Sequence, residues 1–488
     1  MLLVILITIA ILLITFHYWR NCKLPPGPWS LPFLGYLPFL DPKNPQISLT
    51  NLSKKYGTIY GLWLGSVYTV VLTDPKIIKT AFSKDATTGR APLYLTHGIM
   101  EGWGLICTEG EIWKDQRKFV FNCLRKLGAA RSGQSKGKLE GMIMEHVIEF
   151  VEYIQSKSET VTIDPLEPLR HSLGSIVNMI VCGKTWDRNN ETWKWLLQVQ
   201  EDGTQMMGVA GPLNFLPILR FIPKFKNTMK FLIDGKYRQH GLYKTLIAAQ
   251  KKNLSLNDYE SSNFIREFLL EKNSKSSEIQ EKFYNDQQFH HLLGDLFGAG
   301  LDTTLTTIRW YFLYIAKHQK VQVKIKNEIK EVLQDRQPAL RDIPYLPLVE
   351  ASICEVQRIR SVVPVGIPHG TTTDTDIEGY FIPRGTMLVP LQWAIHMNEE
   401  VWSEPEKFDP GRFLDDNGQI KKNEYFMPFQ VGKRMCVGDE LARSLMFLFV
   451  VTTLQNFRIS LEDQNVDLNG ECGITLTPKH HRLIFSKE

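Results

Sequence analysis

Met1 to Trp19 is an uncharged run dominated by Leu, Ile and Val, ended by Arg20 and Lys23. Its length approaches the roughly 20 residues a helix needs to cross the apolar core of a bilayer. A cleaved secretory signal would start with positive charge, carry a shorter apolar core and end in small residues. Here the apolar run begins at once and ends in Phe16-His17-Tyr18-Trp19. The pattern predicts an uncleaved transmembrane anchor over 1–20, with a secretory signal as the alternative. The basic residues that follow put the body on the cytoplasmic side, so the sequon Asn190-Glu191-Thr192 is expected to stay unmodified. Over 21–40 the prolines of Leu24-Pro25-Pro26-Gly27-Pro28, then Pro32, forbid helix and impose a stiff, extended hinge.

Alternation through Tyr56 to Gly65 and Tyr68 to Thr73 predicts a β-hairpin or meander, and Asp74-Pro75 then opens a helix. From Trp113 to about residue 360 helical spacing prevails. A second β-rich patch covers Ile377 to Val389. Neither an internal repeat nor a low-complexity linker divides the body, so 41–488 reads as one domain, mainly α with a minor β portion. Gly211 to Phe225 is apolar, edged with bases and interleaved with three prolines, Pro212, Pro217 and Pro223. Buried core is one reading of it. A surface loop that dips into a lipid interface while its bases snorkel is the other.

Composition narrows the class. The 488 residues are 43% hydrophobic with 11 Trp, which fits a globular body. A net charge of +5 from 57 basic and 52 acidic residues is too balanced for a nucleic-acid binder, though it permits a local basic face. The 7 cysteines are scattered and hold no Cys-x-x-Cys pair, which fits a reducing compartment and makes a zinc site unfavoured.

Candidate chemistry concentrates in Phe429 to Gly438. Cys436 sits on a loop with Gly432 four residues before it, Gly438 two after, and Arg434 two before. Glycine allows backbone to approach a bulky flat object, and positive surroundings favour a thiolate. A cofactor-ligating thiolate and a buried free cysteine both satisfy that pattern. Ala299-Gly300-Leu301-Asp302-Thr303-Thr304 lies inside a helical pattern from about Phe289 to Ala316. Its mid-helix glycines, Gly298 and Gly300, demand a flat partner, an opened hydrogen-bond ladder, or a helix contact through small residues. Glu355 and Arg358 have the spacing of a helical ion pair. Trp113 and Arg117 stand one turn apart, a donor indole and a planar guanidinium suited to carboxylates.

The pattern Phe-x-x-Gly-x-Arg-x-Cys-x-Gly at 429–438, together with the strings around Trp113, Thr303, Glu355 and Pro405 to Phe413, resembles the cytochrome P450 family in composition and order. The resemblance covers essentially the whole sequence and implies the cytochrome P450 fold and a haem-thiolate monooxygenase using haem b. It makes Cys436 the axial iron ligand and Asp302 and Thr303 an acid–alcohol pair relaying protons. Arg90, Trp113, Arg117, His369 and Arg434 would hold the haem propionates, and Glu355, Arg358 and Arg412 would form a structural network. Leu95, Ile106, Ala299, Val363, Ile367 and Leu476 would line the substrate pocket. The 211–225 stretch becomes the link between two lid helices at a membrane-facing entrance. The implied setting is the endoplasmic reticulum membrane, with O2, a lipophilic sterol and electrons from NADPH–cytochrome P450 reductase, cytochrome b5 being a second donor. Lys114, Lys118, Arg125 and Lys126 are either a solvated face or the docking surface for that acidic donor.

Three further strings, at 295–307, 358–370 and 392–397, resemble the insect ecdysteroid 25-hydroxylases, a branch of the family. They imply hydroxylation at C-25, in the side chain of a moulting-hormone precursor. The ecdysteroid 26-hydroxylases, a microsomal oxidase of xenobiotics or other lipids, and a haem-thiolate sensor or lipid carrier without turnover stay open beside that reading. Retention of Asp302 and Thr303 favours an enzyme over a carrier.

Overall fold

The alternating segments form an antiparallel hairpin of Ile59–Leu64 and Val67–Leu72, running from the pair Ile59 with Leu72 to the pair Leu64 with Val67. Strand Met387–Pro390 adds in parallel to Val67–Leu72, His369–Gly370 adds to that, and Gly89–Arg90 closes a five-stranded sheet. Its last pairing sets Arg90 directly opposite His369. These positions lie far apart in sequence, and the sheet brings them to one edge. The structure, a computed structural model, describes residues 23–129, 134–206, 208, 211–253 and 262–488. The anchor expected over 1–20 lies outside them. Among the described residues no helix is long and apolar enough to cross a membrane.

The hinge lies along the first strand. Gly61 N–H donates to the Pro26 carbonyl at 2.8 Å, and a Cβ on Gly27 would stand 1.6 Å from the Gly61 oxygen. Trp29, Phe33 and Phe39 are left exposed. As expected, Pro75 sits in the first turn of helix Pro75–Ser83, and Asp74 caps it by accepting from Lys76 and Ile77 N–H at 2.8 and 3.0 Å. A charged acceptor satisfies two donors that the first turn leaves without helical partners.

Helices make up most of the remainder. The central one, Asp286–Lys317, extends the predicted pattern and runs without a break. It packs against Leu166–Cys182 and Asp439–Asn456, and from Thr304 to Ala316 it is buried on every side, the mark of a helix inside a core rather than on it. Its glycines answer the question posed by the sequence. A Cβ at Gly298 would meet Gln200 at 2.6 Å, and one at Gly300 would meet Val177 at 3.2 Å. Both positions admit neighbouring helices, so close helix packing accounts for them. A second, three-stranded sheet of Thr160–Ile163, Leu483–Lys487 and Phe457–Leu461 covers the far side of the core.

The segment 211–225 is neither all loop nor all core. It makes a short helix, Pro212–Phe215, a 3-10 turn, Pro217–Phe221, and the start of a long lid helix, Pro223–Asn253. Phe215 is fully buried, whereas Ile218, Phe221 and Ile222 are exposed.

Candidate functional site

The loop carrying Cys436 is built by its own backbone. Cys436 N–H donates to the Phe429 carbonyl at 3.0 Å and Met435 N–H to Gly432 at 3.2 Å. Gly432 has φ +84°, and a side chain there would press into Phe82 at 2.6 Å. Helix Asp439–Asn456 begins behind the sulfur, and Gly438 N–H points to Sγ at 3.4 Å. The thiol is open to an internal cavity while protein surrounds it at longer range, so its exposure is to the cavity and not to bulk water. Burial raises its pKa, opposed by the Gly438 N–H and by Arg117 and Arg443. Burial pushes Cys107, Cys182, Cys354 and Cys472 up to about 12. Cys436 is therefore the described cysteine best placed to become a cavity thiolate.

One wall of that cavity, about 490 Å³ in volume, is cationic. Arg90, Trp113, Arg117, His369 and Arg434 all line it. The Arg434 guanidinium stacks on Trp113 at 4.4 Å, with Arg117 at 5.9 Å from the same ring. Their hydrogen bonds go to carbonyls: Arg90 to Ile106 at 2.6 Å and Pro368 at 3.2 Å, Arg117 to Met435 at 2.6 Å, Arg434 to Thr88 at 2.6 Å and to Thr108. Among the described residues no carboxylate forms an ion pair with any of the three. Burial and then the neighbouring Arg90 hold Arg434 far below the usual arginine range. His369 stacks on Phe82 at 3.7 Å and bonds Thr87 through Nδ1 at 2.9 Å. A neutral ring donating there leaves Nε2 as an acceptor. To hold a carboxylate it must take a second proton, which burial, Arg90 and Arg434 oppose until the carboxylate arrives.

The central helix forms the opposite wall. Thr303 is half-buried and donates to the Ala299 carbonyl at 2.7 Å, while Thr307 does the same to Thr303 at 2.8 Å. Asp302, adjacent in sequence, points round the helix and accepts from Thr475 at 2.8 Å. It makes no direct bond to Thr303. Burial raises its pKa to about 6, which puts its proton exchange near neutrality.

Glu355, Arg358 and Arg412 come together as expected. Arg358 grips Glu355 with two parallel bonds of 2.7 and 2.9 Å, both side chains fully buried, and Arg412 lies 3.3 Å from the same carboxylate. Arg358 also donates to the His396 and Pro405 carbonyls. None of the three lines the cavity.

Of the expected pocket residues, Leu95, Ile106, Ala299, Val363 and Ile367 line the cavity. Leu476 does not: it is fully buried in the core, its carbonyl held by Trp310 at 2.8 Å, and Ile474 and Thr475 reach the cavity instead. Two features have no counterpart among the sequence expectations. Asp295 accepts from Leu105 and Ile106 N–H at 2.6 and 2.8 Å, clamping a wall loop to the central helix. His240, His290 and His291 also meet at the cavity margin. The doublet His290-His291 is readable in the sequence, but its partner on the lid helix is not.

The haem implied by the resemblance fits these residues. A thiol opens on the cavity from one side, a helix crosses the other, and guanidinium groups that form no ion pair among the described residues line its edge. Those groups suit a dianionic, largely apolar cofactor.

The pattern of the cytochrome P450 family matches residues 25–485. The protein is 39% identical to cytochrome P450 306a1 of Drosophila melanogaster, over 95% of its own length and 89% of the relative's. It is 30% identical to cytochrome P450 18a1 of the same organism, over 96% and 88%. Identity to human cytochrome P450 2J2 is 32%, over 95% and 91%.

Proposed function

Because the chain belongs to the cytochrome P450 family of haem b monooxygenases, we propose that it hydroxylates a sterol side chain, at C-25 of an ecdysteroid precursor. The observation that carries a lipophilic substrate is the cavity: its walls between the thiol and the lid are mostly aliphatic, as at Leu95, Ile99, Ile106, Val363 and Ile367. The ecdysteroid assignment rests on the likeness of the strings at 295–307, 358–370 and 392–397 to the insect enzymes.

When bound, haem b supplies the oxidation, activating dioxygen for insertion of one oxygen atom into a C–H bond. Cys436 would hold it through its thiolate. Arg90, Trp113, Arg117, His369 and Arg434 would hold its carboxylates. Thr303 would present a proton at Oγ1 toward the cavity, which requires its hydroxyl to leave the Ala299 carbonyl. Asp302 would refill that proton from its buried site. Val363, Ile367 and Ala299 would exclude water and limit which carbon approaches.

Electrons would come from NADPH–cytochrome P450 reductase, with cytochrome b5 as a second donor. Lys118 and Arg125 are exposed on the helix that bears Trp113, and Lys118 has no ion-pair partner among the described residues. The exposed groups Trp29, Phe33 and Phe39, with Ile218 and Phe221, would rest in the endoplasmic reticulum bilayer.

Reconstitution with reductase and NADPH, followed by mass spectrometry on a panel of ecdysteroid precursors, tests this reading. One oxygen atom added at C-25 is the expected product. Attack at C-26, or oxidation of unrelated lipophiles with every sterol untouched, would replace it. In the same assay Thr303→Ala should keep haem and substrate binding but consume NADPH without matching product. Positioned proton transfer contributes about 10²–10⁴-fold, so undiminished coupling would make Thr303 a packing residue.

A further inference from the structure

Toward the first turns of the central helix, away from Thr303, the cavity is lined by three imidazoles. His290 and His291 come from the first turns of the central helix, and His240 comes from the lid helix over them. The His240 ring lies 5.3 Å from that of His290 and 4.7 Å from that of His291. All three line the same cavity as Cys436, and Gln239 joins them. His291 is 2% exposed, and neither of its ring nitrogens finds a partner. The His240 and His290 rings make no hydrogen bond among the described residues. Of the neighbouring charges, Lys236 bonds Glu101 at 2.7 Å and the Ile99 carbonyl at 2.9 Å, Asp286 pairs with Lys272 at 3.4 Å, and Lys244 forms no ion pair among the described residues.

Burial lowers His240 to about 3 and His291 to about 4, and lowers His290 as well, so the rings are neutral at physiological pH. A neutral imidazole offers one donor and one acceptor. Leaving such groups unmatched in a buried wall is costly unless something brings complementary oxygens. That something must be elongated. His291 and Thr303 are twelve residues apart on one unbroken helix, which at 1.5 Å per residue is about 18 Å. A molecule spanning the cavity thus presents one end to the histidines and the other to Thr303.

We propose that His240, His290 and His291 form a polar subsite that binds the hydroxyl- and ketone-bearing ring end of an oxygenated sterol and so delivers its side chain to the Thr303 end of the cavity. The proposal rests on the sterol-hydroxylase reading above and adds which end of the sterol is recognised, and by what. These would be specificity residues, since they stand far from the reacting atoms.

The test is a binding titration on the holoenzyme, read from the substrate-induced change in haem absorption. Two probes are compared: a sterol with several ring hydroxyls and a ring ketone, and cholesterol, which has a single ring hydroxyl. Wild type should bind the oxygenated sterol more tightly. His240→Leu and His290→Leu should each weaken it roughly tenfold, the loss expected for one hydrogen bond to a buried group. Cholesterol affinity, the internal control for folding, should stay unchanged. His240→Gln, which keeps a donor and an acceptor, should recover most of the loss. If wild type binds both sterols and the leucine variants weaken both equally or neither, the subsite is overturned while the sterol reading stands. If wild type binds neither, the sterol reading falls and the subsite with it.

Discussion

Arg358 and Arg434 are both buried, at 0% and 7% exposure, and their surroundings differ in kind. Arg358 meets a carboxylate with two bonds and two carbonyls with the rest of its fork, so its charge is neutralised inside the protein. Arg434 meets carbonyls and an aromatic face, with two further arginines close enough to depress its pKa. A buried ion is tolerated only where paired. The first site is complete without any visitor and belongs to the architecture. The second is a cationic group whose protein partners are carbonyls and a ring, which suits it to hold an anionic group of a cofactor.

Removing a partner from the complete site should have the largest effect. Glu355→Ala would strand Arg358 and Arg412 in the core, a loss of about 3–5 kcal/mol visible as a lowered denaturant midpoint or as failure to accumulate folded protein. A tolerant Glu355→Ala would erase the distinction between the sites. Arg434→Leu should act in the opposite sense on the empty protein, whose stability should hold or rise as like-charge crowding is relieved. Haem should leave it faster, since a charge-assisted hydrogen bond contributes about 1.5–3 kcal/mol, and transfer to a haem-scavenging apoprotein measures that loss.

Asp302 is the intermediate case, a buried carboxylate with a hydroxyl donor and, among the described residues, no ion pair, Arg309 acting on it only at longer range. Its pKa is raised in the fold, from 3.8 to about 6, so ionisation costs stability above that value and the cost disappears as pH falls below the unfolded value. Asp302→Asn should therefore be more stable than wild type at pH 7, by about 2–3 kcal/mol, and equal to it near pH 4. Thermal unfolding across that range reads the difference. A gap independent of pH would mean that the fold leaves the pKa of Asp302 at its unfolded value.

What the sequence made legible was local. The hairpin showed as alternation, the Asp74 cap as a proline preceded by an acceptor, and the central helix as a long periodic run. The Cys436 loop showed because its glycines and its arginine lie within ten residues. Spacing shows Glu355 and Arg358 only as a helical ion pair, because it carries no information on burial; their network with Arg412 is legible through the family resemblance alone. Leu476 was misassigned because the cavity is entered by the turn just before its strand, at Ile474 and Thr475. Asp295 and the histidine cluster depend on elements that meet only in three dimensions, and no local pattern announces such meetings.

The Asp295 clamp bears on how the sequence is free to diverge. Gly104 adopts φ +86°, and a side chain there would lie 2.3 Å from the Asp295 carboxylate. Any residue at 295 without an acceptor of that reach would leave the Leu105 and Ile106 N–H groups unpaired. Neither position can drift alone, so the two should be inherited as a unit. Residues to either side, such as Ile99 and Ile106, carry no such joint constraint and can be exchanged one at a time. Descendants could in this way acquire new substrates step by step while the join between loop and helix stays fixed.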